Sequence, residues 1–249
     1  MTEKSFVNDF CILLPVINEA DNLRFLLPEI FRLFPGAQVL IVDDNSTDET
    51  AEVILRERML GMKIEHLKNP TRLGIGAAHK SALRFAAQNG FRYLCTMDAD
   101  LTHDPSEIDK LFLSDDSVDI AIGSRFAEGG KMENWSLSRK ILARVGHIVT
   151  QKAFSMELDM SSSFRLYRRL DSVDFNLLEK IPNGYDYFFT STIIFGNSGY
   201  SFVDQGVRMN QRLNGKSKMT LSYVYRGVWR IISWRVLLKR RIASISESH

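Results

Sequence analysis

The stretch YLCTMDADLTHDP (Tyr93–Pro105) joins a short apolar run to three acidic residues. An apolar run that ends in carboxylates fits a metal site, a helix start or an acidic loop. Two of the acids, Asp98 and Asp100, are separated by one residue. In an extended backbone, residues with this spacing project from the same face. The stretch therefore predicts a strand with a pair of carboxylates at its carboxyl end.

Apolar runs of this kind alternate with helical patterns along the first half of the chain. The runs are FCILLPV, QVLIVDD, KIEHL, YLCTMDA and VDIAIGS, and the helical patterns cover residues 19–34, 47–60, 73–89 and 105–113. This alternation predicts an α/β fold with a mainly parallel, Rossmann-like sheet flanked by helices. Ligands of such sheets bind beyond the carboxyl ends of the strands. The polar residues expected there are Asn18, Glu19, Asp43, Asp44, Asp98, Asp100 and Arg125.

The regular alternation stops after Arg125. The later patterns predict a helix over 137–155, a strand at SSSFRLYRR, a buried helix at GYDYFFTSTIIFG and a late strand at YSFVDQGVRM. Cys11 and Cys95 lie inside apolar runs, so we expect buried free thiols in a reducing compartment. No segment has the ~20 apolar residues of a membrane-spanning helix, and the amino terminus lacks the apolar region of a secretory signal.

Several polar residues have structural explanations. Asn18, Ser46 and Asp104 resemble helix N-termini, and Glu107 follows Asp104 at the spacing of a capping box. GIGAAH (Gly74–His79) lacks a third glycine and follows a charged loop, so it predicts a tight entry into a helix rather than a dinucleotide site.

Charge is distributed unevenly along the chain. Residues 1–204 contain 22 basic and 29 acidic residues, whereas residues 205–249 contain 10 basic and one acidic. An acidic body with a basic carboxyl-terminal segment predicts that this segment faces phosphate groups or a membrane surface.

The carboxylates and cations together predict a phosphate-ester chemistry. Asp98 and Asp100 offer oxygen ligands, which favour Mg²⁺ or Mn²⁺ with positions left for substrate phosphates. Asp43 and Asp44 can accept hydrogen bonds from a nucleobase or ribose. The arginines and lysine at element ends suit a diphosphate and a second anionic group. These cations are Arg125, Arg139, Arg165, Arg212 and Lys218.

These residues lie in motifs that resemble the GT-A glycosyltransferases, in particular the polyprenyl-phosphate group typified by dolichol-phosphate mannose synthase. The motifs are LPVINEADNL, IVDDNSTDET, MDADLTHDP, IGSRF, GGKMENWSLSRK, DMSSSFRLYRR and RLNGKSK, in family order over roughly residues 12–218. The resemblance implies a GT-A catalytic domain over 1–218 that moves a hexose from a donor of the GDP-mannose or UDP-glucose type to dolichyl or undecaprenyl phosphate, with inversion.

The resemblance also implies roles for single residues. Asp98 and Asp100 would hold the metal, with Asp100 essential for catalysis. Arg125 and Arg139 would hold the acceptor phosphate, and Arg212 and Lys218 would close over the donor phosphates. The residues implied to contact the donor nucleoside are Pro15, Glu19, Asp43 and Asp44.

Three departures from the family pattern bear on these roles. Thr102 stands where the family usually has a metal-ligating Gln, Val16-Ile17 replaces Thr-Tyr, and Ser163 replaces Gly. A hydroxyl is a weaker neutral ligand than an amide oxygen, so we expect Thr102 to hold the cation through water. The neighbouring His103 is interpreted as a surface residue beside a helix start, recruitment to the cation being the alternative.

The last segment, residues 219–249, predicts a basic amphipathic helix. Residues 221–241 carry six basic residues, no acidic residue, and Trp229 and Trp234. This composition favours a helix in a membrane interface, packing on the domain being the alternative. A polyprenyl-phosphate acceptor gives such a helix a membrane partner rather than nucleic acid. We therefore expect a peripheral protein on the cytoplasmic face, resembling the soluble catalytic form that works with a small membrane-protein subunit.

Two other functions fit the sequence. The same fold can transfer sugar to a saccharide or other hydroxyl, which requires a general base for which Asp159 is the nearest candidate. A peripheral membrane protein that binds nucleotide sugars without turnover is the second alternative, because Thr102 and Ser163 depart from the catalytic pattern.

Overall fold

The computed structural model describes residues 9–168 and 170–211. The strands are β1 (Phe10–Val16), β2 (Gln38–Asp43), β3 (Ile64–Lys68), β4 (Tyr93–Thr96), β5 (Ile120–Ser124), β6 (Lys131–Met132), β7 (Arg165–Arg168), β8 (Phe202–Gly206) and β9 (Arg208–Met209). The helices are α1 (Ala20–Leu33), α2 (Thr50–Met59), α3 (Ile75–Gln88), α4 (Ile108–Leu113), α5 (Leu137–Phe154), α6 (Phe175–Glu179) and α7 (Tyr187–Asn197). Two 3-10 turns cover Pro105–Glu107 and Leu170–Ser172.

Seven of the described strands form one sheet in the order β3-β2-β1-β4-β7-β5-β8. All neighbours are parallel except β7, which is antiparallel to both β4 and β5. The predicted mainly parallel α/β sheet is thus confirmed. Because β4 and β5 both oppose β7, they run in the same direction, and their carboxyl ends lie at the edge where β7 begins. Thr96 and Ile122 both pair with Arg165 there.

The core lies on both faces of the sheet, as parallel strands with helical crossovers require. In β1 and β2 almost every residue is buried, so these strands read as continuous apolar runs. Helix α1 buries Leu23, Leu27 and Ile30 from one stripe. Cys11 and Cys95 are buried free thiols, as predicted, and desolvation raises the pKa of both.

The glycines of GIGAAH serve packing at the start of α3. Gly74 has φ 94°, and a Cβ there would lie 2.5 Å from the carbonyl oxygen of Asn183. The Gly76 N–H donates to that same oxygen at 2.7 Å. The predicted tight helix entry is therefore confirmed, and the glycines let α3 approach the segment after α6.

Strand β4 is shorter than the sequence predicts. Its ladder to β1 ends when the Met97 N–H donates to the Leu13 carbonyl at 3.1 Å, and residues 98–102 leave the sheet in a series of bends. Asp98 and Asp100 thus follow the strand instead of lying within it. This early end also accommodates Pro15 in a central strand, because β1 has no ladder partner opposite Pro15 on the β4 side.

Residues Trp135–Leu158, which include α5, form a compact unit of their own among the described residues. The remaining described residues form the unit that contains the large sheet. Within residues 9–168 and 170–211, none of the helices combines the length and apolar character needed to cross a membrane. The predicted boundary at residue 218 and the predicted helix over 219–249 lie outside the described residues.

Candidate active site

Asp98 and Asp100 lie just beyond the carboxyl end of β4, in a loop with alternating burial. Met97 and Ala99 are buried, whereas both aspartates are half-buried. The alternation turns both carboxylates away from the core, which is the outcome predicted from their spacing. The chain then turns at Leu101, whose φ of 65° lies in the left-handed region.

The next two residues hold this loop in place. The Thr102 hydroxyl and N–H both donate to Asp100 Oδ1, at 2.5 and 3.1 Å. The Asp98 N–H donates to His103 Nδ1 at 2.9 Å. His103 is only 4% exposed and its ring stacks on Phe164 with centroids 4.9 Å apart. The interpretation of His103 as a surface residue is therefore wrong, because its ring is packed beneath the loop.

The segment DMSSSFR (Asp159–Arg165) forms hydrogen bonds to the ends of both β4 and β5. Thr96 Oγ1 donates to the Ser163 carbonyl at 2.5 Å, and Ser162 Oγ donates to the Gly123 carbonyl at 2.7 Å. Ser163 has a negative φ, so this position does not require the glycine that the family pattern has. The adjacent Arg165 is fully buried and donates to the carbonyls of Ser162, Met160 and Phe188 and to Ser191 Oγ. Arg165 stabilises the fold and is not a surface anion ligand.

Arg125 follows β5 and lies against Asp159. Its Nε is 3.1 Å from Asp159 Oδ2, and its Nη2 donates to Asp159 Oδ1 at 3.3 Å and to Ser161 Oγ. Asp159 is 1% exposed, and its N–H donates to Asp204 Oδ2 at 2.9 Å. Sequence reasoning named Asp159 only as a candidate base and missed Asp204. The available signal was an acidic residue inside the apolar pattern of β8.

The ends of β1 and β2 are joined by a network of turns. Asn18, with φ 55°, accepts from the Thr47 N–H at 2.8 Å and donates its own N–H to Ser46 Oγ at 2.9 Å. Asp48 accepts from the Ala20 and Thr50 N–H groups, so one carboxylate binds the first N–H of α1 and the first N–H of α2. Asn18 and Ser46 therefore link the two loops and do not cap helices.

Glu19 and Pro15 lie at this same end of the sheet, both half-buried. The Glu19 N–H donates to Thr50 Oγ1 at 3.2 Å, and its carboxylate accepts from Asn22 Nδ2. The predicted donor-contact residues of β1 thus lie beside the loop that starts α2.

Asp43 and Asp44 differ in exposure. Asp43 is fully buried, with Oδ1 accepting from the Ser46 N–H at 2.7 Å and Oδ2 3.4 Å from His66 Nε2. Half-buried Asp44 accepts from Asn69 Nδ2 at 3.0 Å and from the N–H groups of Leu73 and Gly74 at 2.7 and 3.0 Å. Asp44 therefore organises the loop before α3, whereas Asp43 fixes the turn at Ser46.

Strand β9 anchors the chain beside the Asp98–Asp100 loop. Glu107 is 2% exposed and accepts from Arg208 Nε at 2.8 Å and from the Arg208 N–H at 2.9 Å. Asp104 caps the 3-10 turn through Ser106, as predicted, but Glu107 binds Arg208 in place of completing a capping box. The Asn210 N–H donates to the Thr102 carbonyl at 2.8 Å.

Arg139 lies in the first turn of α5, in the unit Trp135–Leu158. Its guanidinium carbon is 4.0 Å from the centroid of the Trp135 ring, a cation–π stack. Ser136 caps the helix by accepting from the Arg139 N–H at 3.4 Å. The remaining predicted residues, Arg212 and Lys218, lie outside the described residues.

A divalent cation fits the carboxylate pair by its chemistry. Both side chains present oxygen atoms at a half-buried loop, as Mg²⁺ and Mn²⁺ prefer. Across residues 9–168 and 170–211 there is no group of three or more His, Cys, Asp and Glu side chains that could hold a metal ion. Asp98 and Asp100 would therefore supply part of a shell, with substrate oxygens supplying further positions.

Two characterised relatives match most of the chain. Polyprenol monophosphomannose synthase of Mycolicibacterium smegmatis is 27% identical over 230 residues, which cover 90% of this chain and 86% of that protein. Undecaprenyl-phosphate mannosyltransferase of Micrococcus luteus is 29% identical over 225 residues, covering 89% and 92%.

Solved structures share the fold. A mannosyltransferase from Pyrobaculum calidifontis in complex with GDP-Man and Mn²⁺ is 20% identical with a TM-score of 0.58, covering 86% of this chain and 59% of that chain. Glucosyl-3-phosphoglycerate synthase from Mycobacterium tuberculosis, in complex with Mn²⁺, UDP and glucosyl-3-phosphoglycerate, is 18% identical with a TM-score of 0.62, covering 92% of this chain and 80% of that chain. The predicted GT-A architecture is confirmed by these neighbours. The model of the glycosyl transferase family 2 domain matches residues 11–173, and the chain belongs to that family.

Proposed function

We propose that this chain transfers a hexose of the mannose or glucose type from a nucleotide-diphosphate sugar to a polyprenyl phosphate, with inversion at the anomeric carbon. One observation carries the proposal: the Asp98–Asp100 loop and Arg125 follow two strands whose carboxyl ends lie at the same sheet edge. A cation-binding pair and a phosphate-binding arginine at one edge suit transfer between two phosphate-bearing substrates. The relatives named as polyprenol- and undecaprenyl-phosphate mannosyltransferases support the same acceptor class.

Asp98 and Asp100 are proposed to hold Mg²⁺ or Mn²⁺ against the donor diphosphate. Such a cation stabilises the negative charge that develops on a departing diphosphate. Structures of the fold neighbours contain Mn²⁺ or Mg²⁺, which supports a divalent ion. Arg212 and Lys218 are proposed to close over the same phosphates. Arg212 lies two residues after Asn210, whose backbone N–H is bonded to Thr102 beside the aspartates.

The donor nucleoside is proposed to bind at the ends of β1 and β2. Pro15, Glu19 and Asp44 are half-buried there. Buried Asp43 contributes through the turn that it fixes at Ser46. The proposed donor is of the GDP-mannose or UDP-glucose type, in line with the nucleotides bound in the fold neighbours.

The acceptor phosphate is proposed to bind Arg125 and Arg139. A phosphate monoester has a second pKa of about 6, so at neutral pH it is largely a dianion that attacks without a strong general base. Asp159, the candidate base for a hydroxyl acceptor, is buried and ion-paired with Arg125. This pairing supports a phosphate acceptor over a saccharide acceptor, because a general base must reach the attacking hydroxyl.

Peripheral association with the cytoplasmic face of a membrane is proposed from the surface of α5 as well as from the acceptor. Four aliphatic residues at helical spacing are exposed by 43–74% of their surface: Leu137, Ile141, Val145 and Ile148. The helix has four basic residues and no acidic residue within Leu137–Phe154. Apolar and basic side chains on one helix suit an anionic membrane interface. A small membrane-protein subunit remains part of the proposal.

Vesicle flotation tests the membrane proposal. The triple variant Leu137→Ser, Ile141→Ser, Val145→Ser should float less than the parent chain on vesicles containing anionic lipid. The parallel deletion of residues 219–249 separates the contribution of the basic carboxyl-terminal segment. Undiminished flotation of both variants would contradict the proposal.

Asp100→Ala tests the catalytic proposal. The variant should lose turnover and metal-dependent binding of the donor, because it removes one of the two proposed ligands. Asp115→Ala, at an exposed loop carboxylate, is the matched control and should retain both properties. Full activity of Asp100→Ala would remove the proposed metal site.

A further inference from the structure

Thr102 occupies the position at which the resemblance implies a third metal ligand, yet its polar groups face Asp100. The hydroxyl and the backbone N–H both donate to Asp100 Oδ1. A carboxylate oxygen has two lone-pair sites, so these two bonds direct Oδ1 toward the loop. Thr102 thereby fixes the rotation of the Asp100 carboxylate.

His103 acts on the other aspartate through the backbone. Its Nδ1 accepts the Asp98 N–H, and its ring stacks nearly parallel to Phe164, at 15°. Phe164 is fully buried and immediately precedes β7. The imidazole therefore ties the backbone of Asp98 to the interior beside the sheet.

Strand β9 and the residue after it, Asn210, contact Thr102 and His103. The Thr102 carbonyl accepts from Asn210, and His103 forms an isolated antiparallel bridge with Met209. Leu101 lies in sequence between Asp100 and Thr102, in a left-handed backbone conformation that residues other than glycine rarely adopt. The conformation persists because contacts on both sides determine the loop.

We infer that Thr102 and His103 are positioning residues, which hold the Asp100 carboxylate and the Asp98 backbone so that both aspartates meet one divalent cation. In this chain Thr102 acts on the metal through Asp100 and is not itself a ligand. The inference rests on the proposed metal site, and it differs from the expectation that Thr102 holds the cation through water. Groups that orient metal ligands affect metal affinity by about 10- to 100-fold.

Four variants of the full chain test this role. Thr102→Val removes the hydroxyl and keeps the branched shape, whereas Thr102→Ser keeps the hydroxyl. His103→Phe keeps a ring to stack on Phe164 without the acceptor, whereas His103→Asn restores an acceptor oxygen near the position of Nδ1. The serine and asparagine variants are the matched controls for the valine and phenylalanine variants.

The first readout is amide hydrogen exchange of residues 97–104 in the metal-free protein. Thr102→Val and His103→Phe should exchange at least about 10-fold faster there than the parent chain, with exchange elsewhere unchanged and with recovery in Thr102→Ser and His103→Asn. A residue that acts only as a metal ligand, directly or through water, would leave this metal-free exchange unaltered. Unaltered exchange in Thr102→Val would therefore overturn the inference.

The second readout is Mn²⁺ affinity, measured by electron paramagnetic resonance of the free ion with GDP and, separately, UDP present. The same two variants should bind Mn²⁺ about 10- to 100-fold more weakly, and the controls within about threefold of the parent. Equal affinity in all five proteins would also overturn the inference. Failure of the parent chain to bind Mn²⁺ with either nucleotide would instead contradict the proposed metal site, while the exchange result still reports on the loop.

Discussion

Arg125 and Asp159 form an ion pair at the edge of the sheet, with Arg125 Nε 3.1 Å from Asp159 Oδ2. Asp159 is almost fully buried, and Ser161 Oγ also donates to it at 2.7 Å. The orientation of the guanidinium therefore depends on a carboxylate 34 residues further along the chain. If Arg125 binds the acceptor phosphate, Asp159 sets the orientation of the guanidinium that makes this contact.

Asp159→Asn should weaken acceptor binding. The substitution keeps the shape of the side chain and removes the charge that orients Arg125, and losing one partner of a buried charged pair typically costs about 2–5 kcal/mol. We expect kcat/KM for polyprenyl phosphate to fall at least about 10-fold through a higher acceptor KM, because 1.4 kcal/mol corresponds to a factor of ~10. Steady-state kinetics with each substrate varied in turn checks this. A donor KM that rises as much as the acceptor KM would contradict the assignment.

Asp204→Asn should change the pH dependence of stability. Burial raises the pKa of Asp204 to about 7, and the neighbouring Asp159 charge adds to the rise. An aspartate in the unfolded chain has a pKa of about 3.9. Between those values the folded chain binds a proton that the unfolded chain has released, so the contribution of Asp204 to the free energy of unfolding falls as pH rises from about 4 to about 7.

The variant removes that titration. Thermal unfolding of both proteins at several pH values from 5 to 8 provides the measurement, and Tm should decrease less with rising pH in Asp204→Asn. Parallel Tm curves for the two proteins would show that Asp204 has an ordinary pKa in the folded state.

Trp135 should matter for acceptor binding through Arg139. The two side chains form a cation–π stack at 4.0 Å, an interaction worth about 0.5–2 kcal/mol. Trp135→Leu should therefore raise the acceptor KM by about 2- to 30-fold. Trp135→Phe keeps a ring face, so its acceptor KM should lie between those of the parent and Trp135→Leu. An acceptor KM in Trp135→Leu equal to that of the parent would mean that Arg139 does not depend on the stack.

Gly76→Ala and Gly146→Ala should have opposite effects on stability. A Cβ on Gly76 would lie 2.5 Å from the Pro182 carbonyl oxygen and 2.8 Å from Asn183 C, so overpacking should cost about 1–3 kcal/mol. Gly146 lies within α5 with open space around it, and alanine there should gain about 1 kcal/mol from helix propensity. Urea unfolding of both variants compares the two effects. A stabilising Gly76→Ala would contradict the close packing of α3.

The sequence predicts those parts of the site that depend on strand direction. The positions of Asp98, Asp100 and Arg125 follow from the rule that ligands bind at the carboxyl ends of parallel strands. The antiparallel direction of β7 has no comparable local signal, because an apolar run does not encode its orientation. The pairing of Glu107 with Arg208 joins residues 101 positions apart. Local capping rules therefore assigned Glu107 to the wrong partner.

The burial of His103 depends on the same distant strand. The bridge to Met209 and the stack on Phe164, both distant in sequence, help to hold its ring inside. Asp43 also looks like a surface acid in the sequence, because it adjoins a second aspartate, Asp44. The turn at Ser46 that binds its carboxylate is visible only in three dimensions.

A donor panel with polyprenyl phosphate tests the central claim most directly. The full chain is incubated with GDP-mannose, UDP-glucose and related nucleotide sugars, with Mg²⁺ or Mn²⁺ and with or without a chelator, and the glycolipid product is measured. We expect a glycolipid from at least one donor, and we expect it to disappear when the chelator is added. No product with any donor, or a product that the chelator does not diminish, would contradict the claim.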